Sequence, residues 1–208
     1  MKMKRTTLTI LLILFLLGTF ALSGCSSQPK LSAEETVRAF IDAVRAGDIE
    51  KASSYLADPS ASLTVPQNRL GEAIRQSMKV VSVKENKNDE TSSFFTVDVT
   101  LQMLDVLQVM SRATMLYLMD TKADPQKVDP ETIQEDQRMA AIYDTLLKAD
   151  EKNPLPIKET LCIFTLQEQN GILKIVMDES LANTLEGNIR ENLETIRKIL
   201  QNQQETEQ

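Results

Sequence analysis

Two stretches of this chain, residues 95–102 and 160–166, have a period of two: every second side chain belongs to one face and the side chains between them to the other. The apolar members of the first stretch, which polar residues separate, are Phe95, Val97, Val99 and Leu101. The second stretch would present one set of side chains on a single face: Thr160, Cys162, Phe164 and Leu166. A strand points successive side chains to opposite faces, so both stretches are typical of β-strands with one buried face.

Each of these strands has a neighbour in sequence with which it can form a hairpin. Val81 and Val83 alternate with polar residues ahead of the first strand, and the polar segment 86–93 is typical of a turn. The second strand is followed by Asn170-Gly171, a dipeptide suited to tight hairpin turns, and then by another apolar run. The sequence therefore predicts two antiparallel hairpins.

The rest of the folded part has the spacing of helices. Ser32 and Glu35 form a capping-box pattern, and the apolar positions that follow fall on one stripe. These positions are Val37, Phe40, Ile41 and Val44. Residues 105–120 are apolar almost all round, and their length and their Leu, Met and Gln content favour a helix over a strand. Further helices are predicted over 48–56, 67–78, 130–147 and from about 180 to 200.

Together these elements predict the fold class α+β. We expect N-terminal helices packed on a curved, cone-like antiparallel sheet, with a helical insertion at about 105–150 and a C-terminal helix. We expect a single domain over 32–200 and a polar tail at 201–208.

The N-terminus has the three parts of an export signal. A basic segment with Lys2, Lys4 and Arg5 precedes an apolar run, and small residues then lead to Cys25. The run of roughly 15 apolar residues is short for a membrane-spanning helix, which needs about 20. An ordinary cleaved secretion signal and an uncleaved anchor helix are the alternatives.

The segment Leu22-Ser23-Gly24-Cys25 resembles the lipobox of bacterial lipoproteins. The resemblance implies removal of residues 1–24, a diacylglycerol thioether and a possible N-acyl chain on Cys25, and a short tether over 25–31. It implies a location on the extracytoplasmic face of the cell membrane. A Gram-positive surface is preferred, and the outer membrane stays open. We expect no other cofactor.

Composition excludes several classes of function. The chain has 208 residues and a formal net charge of −7, and without the three cations of residues 1–24 the remainder carries about −10. Such a domain does not bind nucleic acid through its general field. There is no histidine, which removes Ser-His and Cys-His nucleophile systems. Apart from Cys25, the one cysteine is Cys162, whose apolar neighbours favour a small buried hydrophobe; a reactive thiol is the alternative.

Three segments resemble the nuclear-transport-factor-2-like cone fold found in small bacterial lipoproteins: residues 35–44 (ETVRAFIDAV), 46–52 (AGDIEKA) and 169–175 (QNGILKI). The family often has Trp at the position of Leu173. The resemblance implies a cone whose mouth takes a small apolar molecule. The residues that we expect near such a pocket are Phe40, Tyr55, Phe95, Tyr117 and Phe164. The alternative interpretation is that these aromatic residues fill the core.

The sequence patterns that would indicate catalysis or metal binding are weaker than those for the fold. Enzymes of the cone fold use an Asp base, and the candidates here are Asp98 in a strand and Asp42 on the first helix. We expect both to face solvent, since alternation places Asp98 opposite the face of Val97 and Val99. Residues 86–90 are rich in oxygen ligands but lack the spacing of a calcium loop, so a solvated turn is favoured. We therefore expect no enzyme activity, no catalytic residue and no metal site.

Two hypotheses for function remain. In the first, the protein is a lipid-anchored module that binds an apolar small molecule or a peptide. In the second, it contacts another envelope protein through the helical insertion or the C-terminal helix. A joint exposed patch formed by Val106, Met110, Leu116 and Leu118 would favour the second hypothesis, and burial of these residues beside a cavity the first.

Overall fold

A computed structural model describes residues 30–61, 68–86, 94–148 and 153–202 of the chain. The chain divides into two units, Met1–Lys30 and Leu31–Gln208, and all the described residues after Lys30 belong to the second. The predicted signal segment 1–24, Cys25 and the tail 203–208 lie outside the described residues.

The described residues contain eight α-helices and one four-stranded antiparallel sheet, which confirms the predicted α+β class. In chain order the elements are α1 (Ala33–Ala46), α2 (Ile49–Ser53), α3 (Arg69–Ser77), β1 (Lys79–Glu85), β2 (Phe94–Leu104), α4 (Val106–Thr121), α5 (Pro130–Ile133), α6 (Gln137–Leu146), β3 (Ile157–Gln169), β4 (Ile172–Val176), α7 (Glu179–Leu185) and α8 (Ile189–Asn202). A 3₁₀ turn, Pro125–Lys127, precedes α5. The helical insertion, α4 to α6, lies between β2 and β3 as predicted.

The first helix forms as its sequence predicts. The Ser32 hydroxyl accepts a hydrogen bond from the Glu35 amide, and the Glu35 carboxylate accepts one from the Ser32 amide at 2.9 Å. These two bonds satisfy donors that the first turn leaves free. Gly47 ends the helix in the left-handed region at φ 73°. The apolar stripe of α1 is fully buried.

The sheet has the strand order β1-β2-β3-β4, with each strand antiparallel to its neighbour. Helices α1 and α3 pack on it, and its inner face is buried, as the alternation of β2 and β3 predicts. On the outer face Leu161 is 68% exposed and Ile163 57% exposed. Asn170 and Gly171, with φ 53° and 80°, form the tight β3–β4 turn.

The predicted phase of β1 is wrong. The pairing of β1 with β2 shifts between Val80 and Ser82, which is a β-bulge. The bulge adds one residue and moves the side chains after it to the other face. Val80 and Val83 therefore pack against the core, whereas Val81 is 44% exposed.

Two predicted continuous helices are each broken in two. The helix expected over 130–147 divides into α5 and α6, and Asp136 caps the second piece by accepting a hydrogen bond from the Arg138 amide at 2.8 Å. The C-terminal helix expected from about 180 divides into α7 and α8, because Gly187 and Asn188 adopt φ 78° and 53°.

Candidate ligand-binding pocket

The five aromatic residues expected near a pocket lie in four different surroundings. Phe40 and Phe164 are fully buried and pack edge to face, with ring centroids 6.3 Å apart. Tyr55 is half-buried after α2, and Phe95 is 36% exposed near the start of β2. The Tyr117 hydroxyl donates a hydrogen bond to the Asp136 carboxylate at 2.8 Å. The structure thus brings together Phe40 and Phe164 as core residues, and Tyr117 serves the cap of α6.

A pocket of about 140 Å³ lies elsewhere, between α4, the end of α6 and the segment that leads into β3. Its lining residues are Gln108, Val109, Arg112, Leu146, Pro154 and Pro156. The walls are mostly aliphatic, and the two polar groups both come from α4. Such a combination of apolar walls and few polar groups is typical of ligand sites.

Asp105 holds the parts of this pocket together. Its carboxylate caps α4 by accepting a hydrogen bond from the backbone N–H of Gln108 at 3.2 Å. Its own amide donates to the carbonyl oxygen of Pro156 at 2.8 Å, which fixes the proline segment beside the first turn of α4. Lys158, the second residue of β3, lies 3.9 Å from the same carboxylate. Asp105 therefore fixes both the start of α4 and the position of the proline segment that forms the opposite wall of the pocket.

Arg112 is an exposed residue at the pocket, and within the described part of the chain its guanidinium has no hydrogen-bonding or ion-pairing partner. Some other arginines are engaged: Arg38 pairs with Glu34 at 2.8 Å, and Arg69 pairs with Glu72 at 2.8 Å. Among the described residues, therefore, nothing occupies the five N–H donors of Arg112, and they can contact a ligand.

An exposed apolar surface continues from Arg112 along α4. We call Arg112, Met115, Leu116 and Met119 the α4 row, because residues three and four apart are neighbours on a helix surface. Met115 is 45%, Leu116 38% and Met119 73% exposed. The row therefore joins the pocket to a strip of three accessible apolar side chains.

The patch of Val106, Met110, Leu116 and Leu118 does not form. Val106, Met110 and Leu118 are buried, and only Leu116 is exposed. Leu116 lies on the exposed face of α4 and the other three on its buried face, so the exposed apolar residues of this helix are Met115, Leu116 and Met119. One sequence signal for the site existed, since Arg112 is the only charged residue between Val106 and Met119.

The candidate acids Asp42 and Asp98 do not line the pocket. Asp42 is exposed and pairs with Arg45 at 3.0 Å, and Asp98 accepts a hydrogen bond from the Asn86 amide group at 2.9 Å. Of residues 86–90 only Asn86 is described. Within the described ranges, no group of three or more His, Cys, Asp or Glu residues is placed to hold a metal ion.

Cys162 is placed as its apolar neighbours predict. It is 7% exposed in β3, and its thiol donates a weak hydrogen bond to the Val99 carbonyl oxygen at 3.4 Å. Burial raises the pKa of the Cys162 thiol to about 11, so the thiol is protonated at neutral pH. A protonated, buried thiol is a poor nucleophile.

No protein-family model, curated protein or solved structure matches this chain. The resemblances to the lipobox and to the cone fold therefore stay predictions. Among the helices that the structure describes, none has the length and apolarity needed to cross a membrane.

Proposed function

We propose that this protein is a lipid-anchored extracytoplasmic lipoprotein of the cell envelope whose folded domain binds a peptide on the helical insertion, without catalysis. The single observation that carries the binding proposal is the continuity of the pocket with the α4 row. The anchor rests on the signal-like N-terminus and on the lipobox resemblance of Leu22-Ser23-Gly24-Cys25.

The size of the pocket favours a peptide over a small molecule enclosed on its own. Ligand pockets usually measure about 300–1,000 Å³, whereas this pocket measures about 140 Å³. It has room for one side chain, and the remainder of a ligand would lie on the surface. The α4 row offers such a surface, and methionine side chains adapt their shape to varied apolar partners.

The chemistry of the described residues supports binding rather than catalysis. The described residues that line the pocket include no carboxylate, thiol or hydroxyl side chain. The candidate acids Asp42 and Asp98 lie on α1 and β2, whereas the pocket is built by α4, the end of α6 and the segment that leads into β3. The thiol of Cys162 is buried and protonated.

A second candidate function is interaction with an envelope protein through the outer face of the sheet. Leu161 and Ile163 on β3 are more than half exposed, and they lie side by side on the solvent face of the sheet. Exposed apolar surface of this kind is often part of a protein–protein contact.

A peptide selection distinguishes these two surfaces. A displayed library of random seven-residue peptides is selected against the full chain in detergent, and the enriched peptides are tested on two variants. Met119→Ser and Leu161→Ser each remove one very exposed apolar side chain, 73% and 68% exposed, on different faces. We expect Met119→Ser to weaken binding and Leu161→Ser to leave it unchanged. The opposite result would favour the outer sheet face and overturn the α4 site.

The anchor is tested by growing cells with an alkyne fatty acid and measuring label on the purified protein. The chain offers a matched pair, because it has two cysteines. We expect label on the wild type and on Cys162→Ala, and none on Cys25→Ala. Equal label on all three proteins, or label on none, would contradict lipidation at Cys25.

A further inference from the structure

We infer that the pocket binds an aliphatic group next to a carboxylate, as at the C-terminus of a peptide, and that Arg112 binds the carboxylate. This inference rests on the proposed peptide site and adds the chemical class of the group that enters it. The observation behind it is the position of the Arg112 guanidinium, which has no partner among the described residues, at a pocket whose other described lining residues are uncharged and mostly aliphatic.

The polar groups of the pocket come from one side. Gln108 and Arg112 are four residues apart on α4, so their side chains are neighbours on one helix face. The other walls come from Val109, Leu146 and the two prolines. A ligand that fits this arrangement has an aliphatic part for the walls and a hydrogen-bond acceptor that faces Gln108 and Arg112.

The charge of the acceptor follows from that of Arg112. A guanidinium donates two parallel hydrogen bonds to a carboxylate, and hydrogen bonds to ionised groups are the stronger ones. Among the described residues that line the pocket there is no second cation, and the chain as a whole is acidic, with a formal net charge of −7. A single negative charge is therefore matched, whereas a doubly charged phosphate would leave one charge without a partner.

The α4 row decides between the two sources of such a group, a free short-chain acid and a peptide end. From Arg112 to Met119 the row extends for roughly 10 Å at 1.5 Å per residue, which is the length of about three residues of extended peptide at 3.3 Å each. A free acid would leave this strip uncovered. We therefore place the last residue of a peptide in the pocket and the preceding residues over Met115, Leu116 and Met119.

Three probes test this inference on the full chain in detergent by isothermal titration calorimetry. The first is the tripeptide N-acetyl-Ala-Ala-Leu with a free carboxylate, the second is its C-terminal amide, and the third is 4-methylpentanoate. We expect the free-acid tripeptide to bind about tenfold or more tightly than the amide, as the loss of a charged hydrogen bond predicts. We expect 4-methylpentanoate to bind more weakly than the tripeptide acid.

Two variants and one control assign the effect to the pocket. Arg112→Gln should reduce binding of the acid to the level of the amide and leave the amide unchanged. Leu146→Trp should block both tripeptides by filling the pocket. Arg138→Gln is the control, because Arg138 is an exposed arginine of the same insertion whose contact with Asp120 is long, at 4.0 Å; it should bind all probes as the wild type does.

The outcomes separate this inference from the proposed function. Equal binding of acid and amide, or an unchanged preference for the acid in Arg112→Gln, overturns the carboxylate contact. If all three probes fail to bind while selected peptides still depend on Met119, the carboxylate inference falls and the proposed function stands. If 4-methylpentanoate binds as tightly as the tripeptide acid, the peptide source is overturned. Acid binding that survives Leu146→Trp overturns the pocket itself.

Discussion

Gly187 lies directly against Val106, and a Cβ atom added to Gly187 would be 2.7 Å from Cγ2 of Val106. The same atom would be 3.0 Å from Cδ1 of Ile74. Both neighbours are buried and cannot move aside freely. The bend between α7 and α8 is therefore held at a position where only a glycine fits against the first residue of α4.

Gly187→Ala should destabilise the fold more than Gly171→Ala does. Both glycines have nearly the same positive φ, 78° and 80°, so both variants carry similar backbone strain. A Cβ at Gly171 meets nothing within 4 Å, whereas the Cβ at Gly187 overpacks the core at a cost of about 1–3 kcal/mol. Chemical denaturation measures the difference. Equal losses in the two variants would show that backbone strain alone matters.

The interior also contains a hydroxyl whose removal should not harm the fold. Thr114 is 1% exposed, and its Oγ1 is the one buried side-chain oxygen or nitrogen without a hydrogen bond in the part of the chain that the structure describes. Thr36 is equally buried, but its hydroxyl donates to the Ser32 carbonyl oxygen at 2.8 Å.

Thr114→Val should leave stability unchanged or increase it, because a buried polar group without a partner costs about 1–3 kcal/mol. Thr36→Val is the matched control, and we expect it to be less stable than the wild type by about 1 kcal/mol, the net value of one hydrogen bond, and so less stable than Thr114→Val. Urea unfolding of both variants gives the comparison. A larger loss in Thr114→Val than in Thr36→Val would mean that the Thr114 hydroxyl has a partner.

The parts of the fold that sequence could predict depend on residues near one another in the chain. The capping box of Ser32 and Glu35, the alternation of β3 and the turn at Asn170 and Gly171 are all local signals. The bend at Gly187 is different, since the need for glycine comes from Val106, which is far away in sequence.

The candidate pocket could not be predicted from the sequence for the same reason. Arg112 stands out in the sequence as a single charge in an apolar helix. Pro154 and Pro156, however, lie far from Arg112 in the chain, and no local pattern links them to α4. Their place beside α4 comes from the hydrogen bond between the Asp105 amide and the Pro156 carbonyl oxygen, a pairing that no sequence spacing reveals.

The caps of the insertion should make the fold sensitive to acid. Asp124, Asp129 and Asp136 accept hydrogen bonds from the backbone amides of Gln126, Glu131 and Arg138, and these bonds hold the pKa of each carboxyl below its usual value. The folded state therefore binds fewer protons than the unfolded state. This contribution is complete above the unfolded pKa of about 3.9 and is lost as the pH falls through the lower folded values.

Urea unfolding between pH 6 and pH 3 checks this expectation. We expect the midpoint to fall with pH in the wild type and to fall less in the triple variant Asp124→Asn, Asp129→Asn and Asp136→Asn, because asparagine caps a helix without titrating. Asp144→Asn is the control, since Asp144 is an exposed carboxylate of α6 that caps no helix. If the unfolding midpoint falls equally with pH in the wild type and the triple variant, the three caps are not the cause of the acid sensitivity.

Cys162 should resist thiol reagents as long as the domain is folded. The side chain is 7% exposed and its thiol pKa is about 11, so only about one molecule in a thousand carries the reactive thiolate at pH 8. In the Cys25→Ala variant, a chromogenic disulfide reagent should find no thiol in the native protein and one after denaturation in guanidinium. The wild type from its own membrane should also show one thiol when unfolded, because the proposed thioether would occupy Cys25. Two thiols would contradict lipidation, and fast reaction of the native variant would contradict burial of Cys162.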